Sequence, residues 1–181
     1  MAITLNGSGT ATGLTAAPNL ASSGLTTGKV IQIVSAIKTG QSSTTSDSMS
    51  DTGLTASITP SATSSKILVQ VCHPFRIYRS GEYEGYGGID LLRDSTVIYE
   101  AAKRSGAGYT GIFVSIGTSA SSAGNSNTHN LTVMDSPSST SSLTYKTQYA
   151  MDYSSQLYLN PTHGDAAYTP HSTIILSEIA A

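Results

Sequence analysis

Short hydrophobic stretches alternate with segments rich in Ser, Thr and Gly along most of this chain. Within the hydrophobic stretches, apolar and polar residues often alternate with a period of two, as they do from Val30 to Ile37. This period is typical of a β-strand that buries one face, and β-branched residues fit such a pleated, half-buried surface. Gly, Ser and Asn in the intervening segments favour turns. The pattern therefore predicts an all-β protein.

Ten stretches carry the strand pattern, at the short, regular spacing of a sandwich or barrel. They are Val30–Ile37, Leu54–Thr59, Lys66–Cys72, Gly88–Arg93, Thr96–Glu100, Gly111–Ile116, Asn130–Met134, Leu143–Ala150, Gln156–Leu159 and Ser172–Glu178. Residues 39–50 are predicted to form a polar loop, and Arg93–Ser95 a tight hairpin turn. His73 and Pro74 are predicted to end or bend the third strand. Because short strands must cover one another's apolar faces and hide their edges, we predict an antiparallel jelly-roll-like β-sandwich.

The first 28 residues differ from the rest of the chain. Ala, Gly, Ser, Thr and Leu dominate there without a sustained period, so this segment alone buries too little surface to fold. We therefore divide the chain into an extended N-terminal arm, residues 1–28, and a β-sandwich domain, residues 29–181. The arm either wraps its own sandwich or docks on a neighbouring protein, and we favour docking. The candidate anchoring residues are Leu5, Leu14, Leu20 and Leu25.

The composition limits what the chain can bind. Of its 181 residues 30 are Ser and 24 are Thr, only 11% are charged, and the net charge is −2. Lys and Arg are scattered, which argues against nucleic-acid binding, and no apolar stretch approaches the ~20 residues that cross a bilayer. The N-terminus has no basic start or apolar core of a secretion signal, so we expect synthesis in a cytoplasm. Cys72 is the single cysteine, and its apolar surroundings predict a buried, inert thiol.

Candidate catalytic and metal-binding groups are few. The chain lacks the sequence motifs of serine hydrolases, zinc proteases and nucleotide-binding proteins. Glu82 and Glu84 have the spacing of a glycosidase acid pair on an extended strand, but they lie in a Gly-rich segment where solvated carboxylates are ordinary. The possible metal ligands are His163, Asp165 and His171, with Asp135 or Asp152 to complete a site. Pro and Gly around these histidines predict a turn-rich surface loop, so we expect no metal there. Because the motifs of enzymes and nucleotide-binding proteins are missing, we also expect no enzyme activity and no cofactor.

Tyrosine is the abundant aromatic residue, with ten copies and no Trp. The segment from Arg76 to Tyr86 is the densest polar and aromatic cluster. One interpretation is a recognition surface for a glycan or a protein partner, in which arginines pair with acidic groups and tyrosine rings stack. The other is a solvated loop whose rings cover a sheet edge. The candidate contact residues are Arg76, Tyr78, Arg79, Tyr83, Tyr86 and Tyr109.

Four segments of the chain resemble a β-rich module of tailed bacteriophages, especially marine and cyanobacterial ones. They are Gly28–Ala36, Asp51–Val69, Leu91–Ile98 and Ile174–Ala181, and the block that leads from Gly53-Leu54 through Pro60 to Val69 is the most specific. The resemblance extends from Gly28 to Ala181. In that family the module forms the outer head of a virion fibre or surface protein, commonly as a trimer.

The resemblance implies a surface-exposed, trimeric virion protein. Since a short arm rather than a long shaft precedes the module here, we expect a capsid decoration or head-fibre protein that the arm anchors. A short tail-fibre or receptor-binding tip that contacts the host is the alternative, and a polysaccharide-cleaving enzyme is a third hypothesis. The expected partners are other copies of the chain, capsid or tail proteins of the virion, and a host-surface glycan.

Overall fold

The computed structural model describes residues 28–79, 87–100, 124–151, 155–162 and 169–180, which form two antiparallel sheets. The first sheet contains β1 (Val30–Lys38), β2 (Ser42–Thr44), β4 (Lys66–Arg79), β7 (Gly124–Asp135), β9 (Ser155–Leu159) and β10 (Ser172–Ile179). The second contains β3 (Ser50–Ile58), β5 (Gly87–Arg93), β6 (Thr96–Tyr99) and β8 (Leu143–Met151). The arm up to residue 27 and the strand predicted at Gly111–Ile116 lie outside the described residues.

The strand order is that of a jelly roll. The second sheet has the order β3-β8-β5-β6. In the first sheet, β10 pairs with β4 from Lys66 to Cys72, β9 pairs with β4 from Phe75 to Arg79, and β7 pairs along the other side. Because β1 pairs with β10 and β2 with β9, the six strands form four columns. When β1–β2 and β9–β10 are each counted as one column, successive described strands alternate between the sheets except at the β5–β6 hairpin. The predicted jelly-roll-like sandwich is therefore confirmed.

Inward-facing side chains of the two sheets form the core in two clusters. Beneath β1 and β10, Ile67, Val69 and Val71 of β4 pack with apolar residues of β3, β8 and β10. Beneath β9, Phe75 and Ile77 of β4 pack with apolar residues of β5, β8 and β9. Position 73, between these two groups on β4, is a buried histidine. The core is thus divided by one polar seam.

Strand β4 runs through His73 and Pro74 to Arg79, so the alternative in which these two residues end the strand is wrong. On one side of β4, pairing with β10 stops at Cys72 and pairing with β9 starts at Phe75, so Pro74 lies at the junction of two partner strands. Its carbonyl accepts a hydrogen bond from the Asn160 N–H (2.9 Å) on that side. The N and carbonyl of a strand residue point the same way, so the position without an N–H faces the junction, where the registers of β10 and β9 leave Pro74 unpaired.

Two other sequence predictions need correction. Residues 39–50 contain the strand β2, which has no apolar residue and therefore carries no hydrophobic pattern. Cys72 is half-buried, because it occupies an outward position of β4 while its neighbours Val71 and His73 point into the core. The predicted hairpin turn is present: Asp94, with a left-handed φ of 54°, connects β5 to β6.

Candidate functional site

The outer face of the first sheet has two chemically different halves. Even-numbered residues of β4 point outward, and the antiparallel register extends each of them into a row across the neighbouring strands. The half over β1 and β10, which we call the apolar half, presents Ile33, Ile37, Leu68, Met134 and Ile175. The half over β9 contains a cleft, the polar cleft, lined by Gln41, Arg76, Tyr78, Tyr158, Pro161 and Thr162.

The polar cleft has a volume of about 320 Å³. Arg76 of β4 pairs directly with Tyr158 of β9, and Tyr78 lies two residues further along β4, so the three side chains share one face. All three are half-buried. Strand pairing therefore fixes the positions of the Arg76 guanidinium and of the Tyr78 and Tyr158 rings.

Two loops complete the cleft, and hydrogen bonds tie them together. Oε1 of Gln41, between β1 and β2, accepts the backbone N–H (2.9 Å) and the hydroxyl (3.0 Å) of Thr162. The Asn160 side chain donates to the carbonyls of Lys38 (2.9 Å) and Gly40 (3.1 Å). Asn160 itself has a left-handed φ of 51°, which turns the chain away after β9 and sets Thr162 beside Gln41. The loop after β9 is thereby hydrogen-bonded to the loop between β1 and β2.

Hydrogen-bonding capacity in the cleft is mainly that of donors. Since Oε1 of Gln41 already accepts two bonds from Thr162, its amide nitrogen keeps two N–H groups. The Tyr158 hydroxyl donates to Oε1 of Gln156 (2.6 Å), whose amide in turn donates to Ser43 (3.1 Å). No lining residue is acidic, and among the described residues no ion pair involves Arg76. Within the part of the chain that the structure describes, the cleft therefore carries one positive charge without an acidic partner.

The apolar half exposes large aliphatic side chains on a β-sheet. Ile33 and Ile37 of β1 are each 64% exposed, and Met134 of β7 is 51% exposed. Ile33, Leu68 and Met134 lie in one row across the sheet, interrupted only by Ser177. Among the described residues β1 pairs with β10 alone, so one edge of this strand remains free. An apolar patch beside a free strand edge is a typical protein-interaction surface.

A hydrogen-bonded network crosses the core seam beneath the junction of the two halves. Nδ1 of His73 lies 2.8 Å from the Ser172 hydroxyl, and Nε2 lies 3.0 Å from the Thr147 hydroxyl. Because Ser172 donates its proton to Asn160 (2.7 Å), it accepts one from Nδ1, and Nε2 accepts from Thr147. Thr52, 2.6 Å from Thr147, then donates to it. The network is satisfied by a neutral His73 with its proton on Nδ1.

Burial enforces the neutral form of His73. It lowers the pKa of His73 to about 3, and the positive charge of Lys38 and that of His129 in its protonated form act in the same direction. Burial also lowers the pKa of His129. A histidine with no exposed surface and such a low pKa is a structural group at neutral pH, and Asn160 links it to the cleft loops.

A second network joins three of the segments that carry the bacteriophage resemblance. The buried carboxylate of Glu178 accepts the N–H and the hydroxyl of Ser61 (2.7 and 2.6 Å), the Ser65 hydroxyl (2.7 Å) and the Gln32 amide (2.7 Å). Burial alone would raise the pKa of Glu178, but the bonds from Ser61, Ser65 and Gln32 outweigh it and lower that pKa to about 2. The serines of the Pro60–Val69 block thus hold the acid of the closing strand.

Asp135, considered above as a metal ligand, is engaged in an ion pair between the sheets. Its carboxylate accepts both bonds from Nη1 of Arg93 (2.7 and 2.6 Å) and one from the Tyr145 hydroxyl (2.7 Å). The hydrogen bond to Asp135 raises the pKa of Arg93, and burial followed by the same carboxylate raises that of Tyr145. The described residues contain no cluster of three metal-ligating side chains. His163, Asp165, Asp152, Glu82 and Glu84 lie outside them.

The structure unites part of the contact set proposed from the sequence. Arg76 and Tyr78 both line the polar cleft, and Arg79 ends β4 opposite Ser155 of β9. Tyr158 and Gln41 also line the cleft, although sequence reasoning missed them. The period of two in β9 is a signal that could place Gln156 and Tyr158 on one face, but only the register shows which strand that face adjoins. Tyr83, Tyr86 and Tyr109, and the arm leucines Leu5, Leu14, Leu20 and Leu25, lie outside the described residues.

Comparison with models of protein families and with curated proteins returns no match. Two solved structures of infectious bursal disease virus share 14% identity with the chain. A structure of the Gx strain superposes with a TM-score of 0.29, covering 84% of this chain and 39% of that chain. The crystal structure of the VP2 subviral particle gives 0.27, covering 82% and 38%. The chain spans about two fifths of these viral chains. Within its described part, no helix has the length and hydropathy to cross a membrane.

Proposed function

We propose that this protein is a non-enzymatic structural component of a bacteriophage virion, exposed on the particle surface and trimeric. Its most specific role in this proposal is capsid decoration or a head fibre. The N-terminal arm, residues 1–28, anchors it to the shell, and the apolar half of the sheet contacts another copy within the trimer.

The row of exposed isoleucines on β1 is the observation that carries this proposal. Ile33 and Ile37 are large and exposed, and their strand has a free edge among the described strands. This combination is costly for a protein that stays alone in water. A second copy is the occupant we infer, because outward positions around these isoleucines are uncharged, as at Ser35, Thr173 and Ile175. Such a surface can be covered without desolvating ions. The trimer itself follows the family resemblance.

Incorporation into particles tests the proposal directly. The full chain and a truncation that lacks Met1–Leu25 are each supplied, with a peptide tag, during infection by a virus whose own copy is deleted. We expect the full chain to purify with the particles and the truncated chain to stay folded and trimeric but free. Incorporation of both chains equally would overturn the anchoring role of the arm, and absence of both from purified particles would overturn the virion assignment.

The polar cleft favours one alternative function, a short tail-fibre or receptor-binding tip. Its guanidinium, two tyrosine rings and amide donors form a recognition site of the kind that would face a host surface. The two roles differ in stoichiometry, because decoration follows the lattice of the shell and a tail tip follows the symmetry of the tail.

A further inference from the structure

We propose that the polar cleft binds a carboxylate-bearing sugar of an acidic glycan. Arg76 holds the carboxylate, and Tyr78, Tyr158 and Pro161 contact the apolar faces of the sugar ring. This inference goes beyond the structural role proposed above and does not depend on it, since binding is measured on the purified protein.

The charge and geometry of the donors select an anionic ligand group. A guanidinium binds a planar carboxylate through two parallel hydrogen bonds, and such charge-assisted pairs are stronger than neutral ones. Arg76 is half-buried in the wall of the cleft, and none of the described lining residues is acidic, so its charge is directed at whatever fills that space. The amide nitrogen of Gln41, whose oxygen is held by Thr162, adds donors at the rim.

The rings and the size of the cleft select a sugar. A sugar has apolar C–H faces and a polar rim, and the cleft matches that combination with two tyrosine rings and a proline beside polar groups. Its volume of about 320 Å³ lies at the lower end of the range for small-molecule sites, which suits one or two sugar units. The Tyr158 side chain is held by its bond to Gln156, so this ring is positioned before the ligand arrives.

An acidic peptide is the competing ligand, and the location of the cleft argues against it. Extended peptides bind sheets by adding a strand to a free edge, where backbone hydrogen bonds supply affinity. Arg76 and Tyr158 lie on β4 and β9, which are paired on both sides. The cleft therefore offers side chains and no free strand edge, and it is short.

Glycan binding by the full-length protein tests the inference in two steps. First, the protein is applied to an array that carries hexuronic-acid and sialic-acid oligosaccharides beside neutral ones. Second, the best acidic oligosaccharide is titrated by calorimetry against the same oligosaccharide with its carboxylate reduced to an alcohol. We expect selective binding of acidic glycans and at least about tenfold weaker binding of the reduced form. Equal binding of both forms, or no acidic glycan above the neutral ones, would overturn the inference.

Matched variants locate the binding site. Arg76→Gln removes the cleft charge, and Lys66→Gln removes one charge from the same face of the same strand, ten residues away. We expect at least about tenfold weaker binding for R76Q and unchanged binding for K66Q, with melting curves to show that both are folded. Gln41→Ala, in an exposed loop, is a second cleft variant and should weaken binding by about threefold. Equal affinities for R76Q and K66Q, or tighter binding of an acidic peptide than of any glycan, would contradict the assignment.

Discussion

The two halves of the outer face share strands β4 and β7 and present different chemical groups. Strand β4 crosses both, with Leu68 outward in the apolar half and Arg76 outward in the polar cleft. Beneath each half lies a separate apolar cluster, and the His73 network separates the two clusters. Outward residues do not determine whether the sandwich folds, so each half is free to carry a different contact. In our account the apolar half assembles copies and the polar cleft meets a ligand.

The largest effect is expected from charging the apolar half. The double variant Ile33→Glu, Ile37→Glu places two carboxylates in the proposed trimer contact. Each isoleucine contributes about 1.5–3 kcal/mol when buried, so the pair should convert trimers to folded monomers at micromolar concentration. Sedimentation velocity measures the change. Thr55→Glu, Ser57→Glu is the matched control on β3, an exposed edge strand of the other sheet, and should remain trimeric. Monomers from both double variants, or trimers from both, would remove the difference between the surfaces.

Acid should destabilise the fold through His73, in the polar seam between the two core clusters. The pKa of His73 is about 3 when folded and about 6.5 when unfolded, so only the unfolded chain binds this proton between those values. The stability that neutral His73 provides is thus complete above about pH 6.5 and is lost toward pH 3, at about 1.4 kcal/mol per pH unit. Urea unfolding measured across this window should show a steep loss for the native chain.

Two histidine variants isolate the contribution of the seam. His73→Gln should be less stable at pH 7 because it breaks the network, but its stability should change less between pH 6.5 and 4.5. His171→Gln, at an exposed histidine that contacts the Thr169 carbonyl, should keep the native slope. If the two variants show the same pH dependence, His73 does not control the acid response.

The next-largest effect is expected from replacing Glu178, the buried acid of β10. Glu178→Gln keeps the shape of the side chain but turns acceptor positions toward donors, which should cost about 2–3 kcal/mol of unfolding free energy at pH 7. The pKa of Glu178 is lowered to about 2 from 4.5, so the stability from its charge is present above pH 4.5 and lost toward pH 2. Asp51→Asn removes an exposed carboxylate that binds Lys146 and Gln148, and should cost less than about 1 kcal/mol. Chemical denaturation compares them, and equal costs would contradict a special role for Glu178.

The smallest effect is expected in the polar cleft. Tyr158→Phe keeps the ring and loses the hydroxyl bond to Gln156, at a cost of about 0.5–1 kcal/mol. The melting temperature should fall by about 1–4 °C. Tyr78→Phe, at a tyrosine with no hydroxyl bond to another described residue, should melt within about 1 °C of the native protein. A larger fall in melting temperature for Y78F than for Y158F would contradict the stabilising role of the hydrogen bond between Tyr158 and Gln156.

Much of the fold was predictable because the strand pattern is local in the sequence. The alternation of Val30–Ile37 and the β-branched run at Lys66–Cys72 gave strands at the observed places. Pro74 and β2 were not predictable, since their placement depends on where two partner strands meet, which no local pattern encodes. Alternation also failed to show that the polar positions of β1 point partly inward while its isoleucines face solvent.

The candidate site was predictable in part for the same reason. Arg76 and Tyr78 stand out in the sequence because charge and aromatic residues cluster around them. Tyr158 is distant in sequence and reaches Arg76 only through the pairing of β9 with β4. Ser61 and Ser65 marked a specific motif, and the structure explains it by the carboxylate of Glu178, more than a hundred residues away.

The measurement that tests the central claim most directly is the copy number of this chain per virion, by quantitative mass spectrometry of purified particles against the major capsid protein. A trimeric surface protein that decorates the capsid predicts a count on the scale of the capsid lattice and divisible among trimers. A count of a few copies that follows the symmetry of the tail, or no copies at all, would contradict decoration.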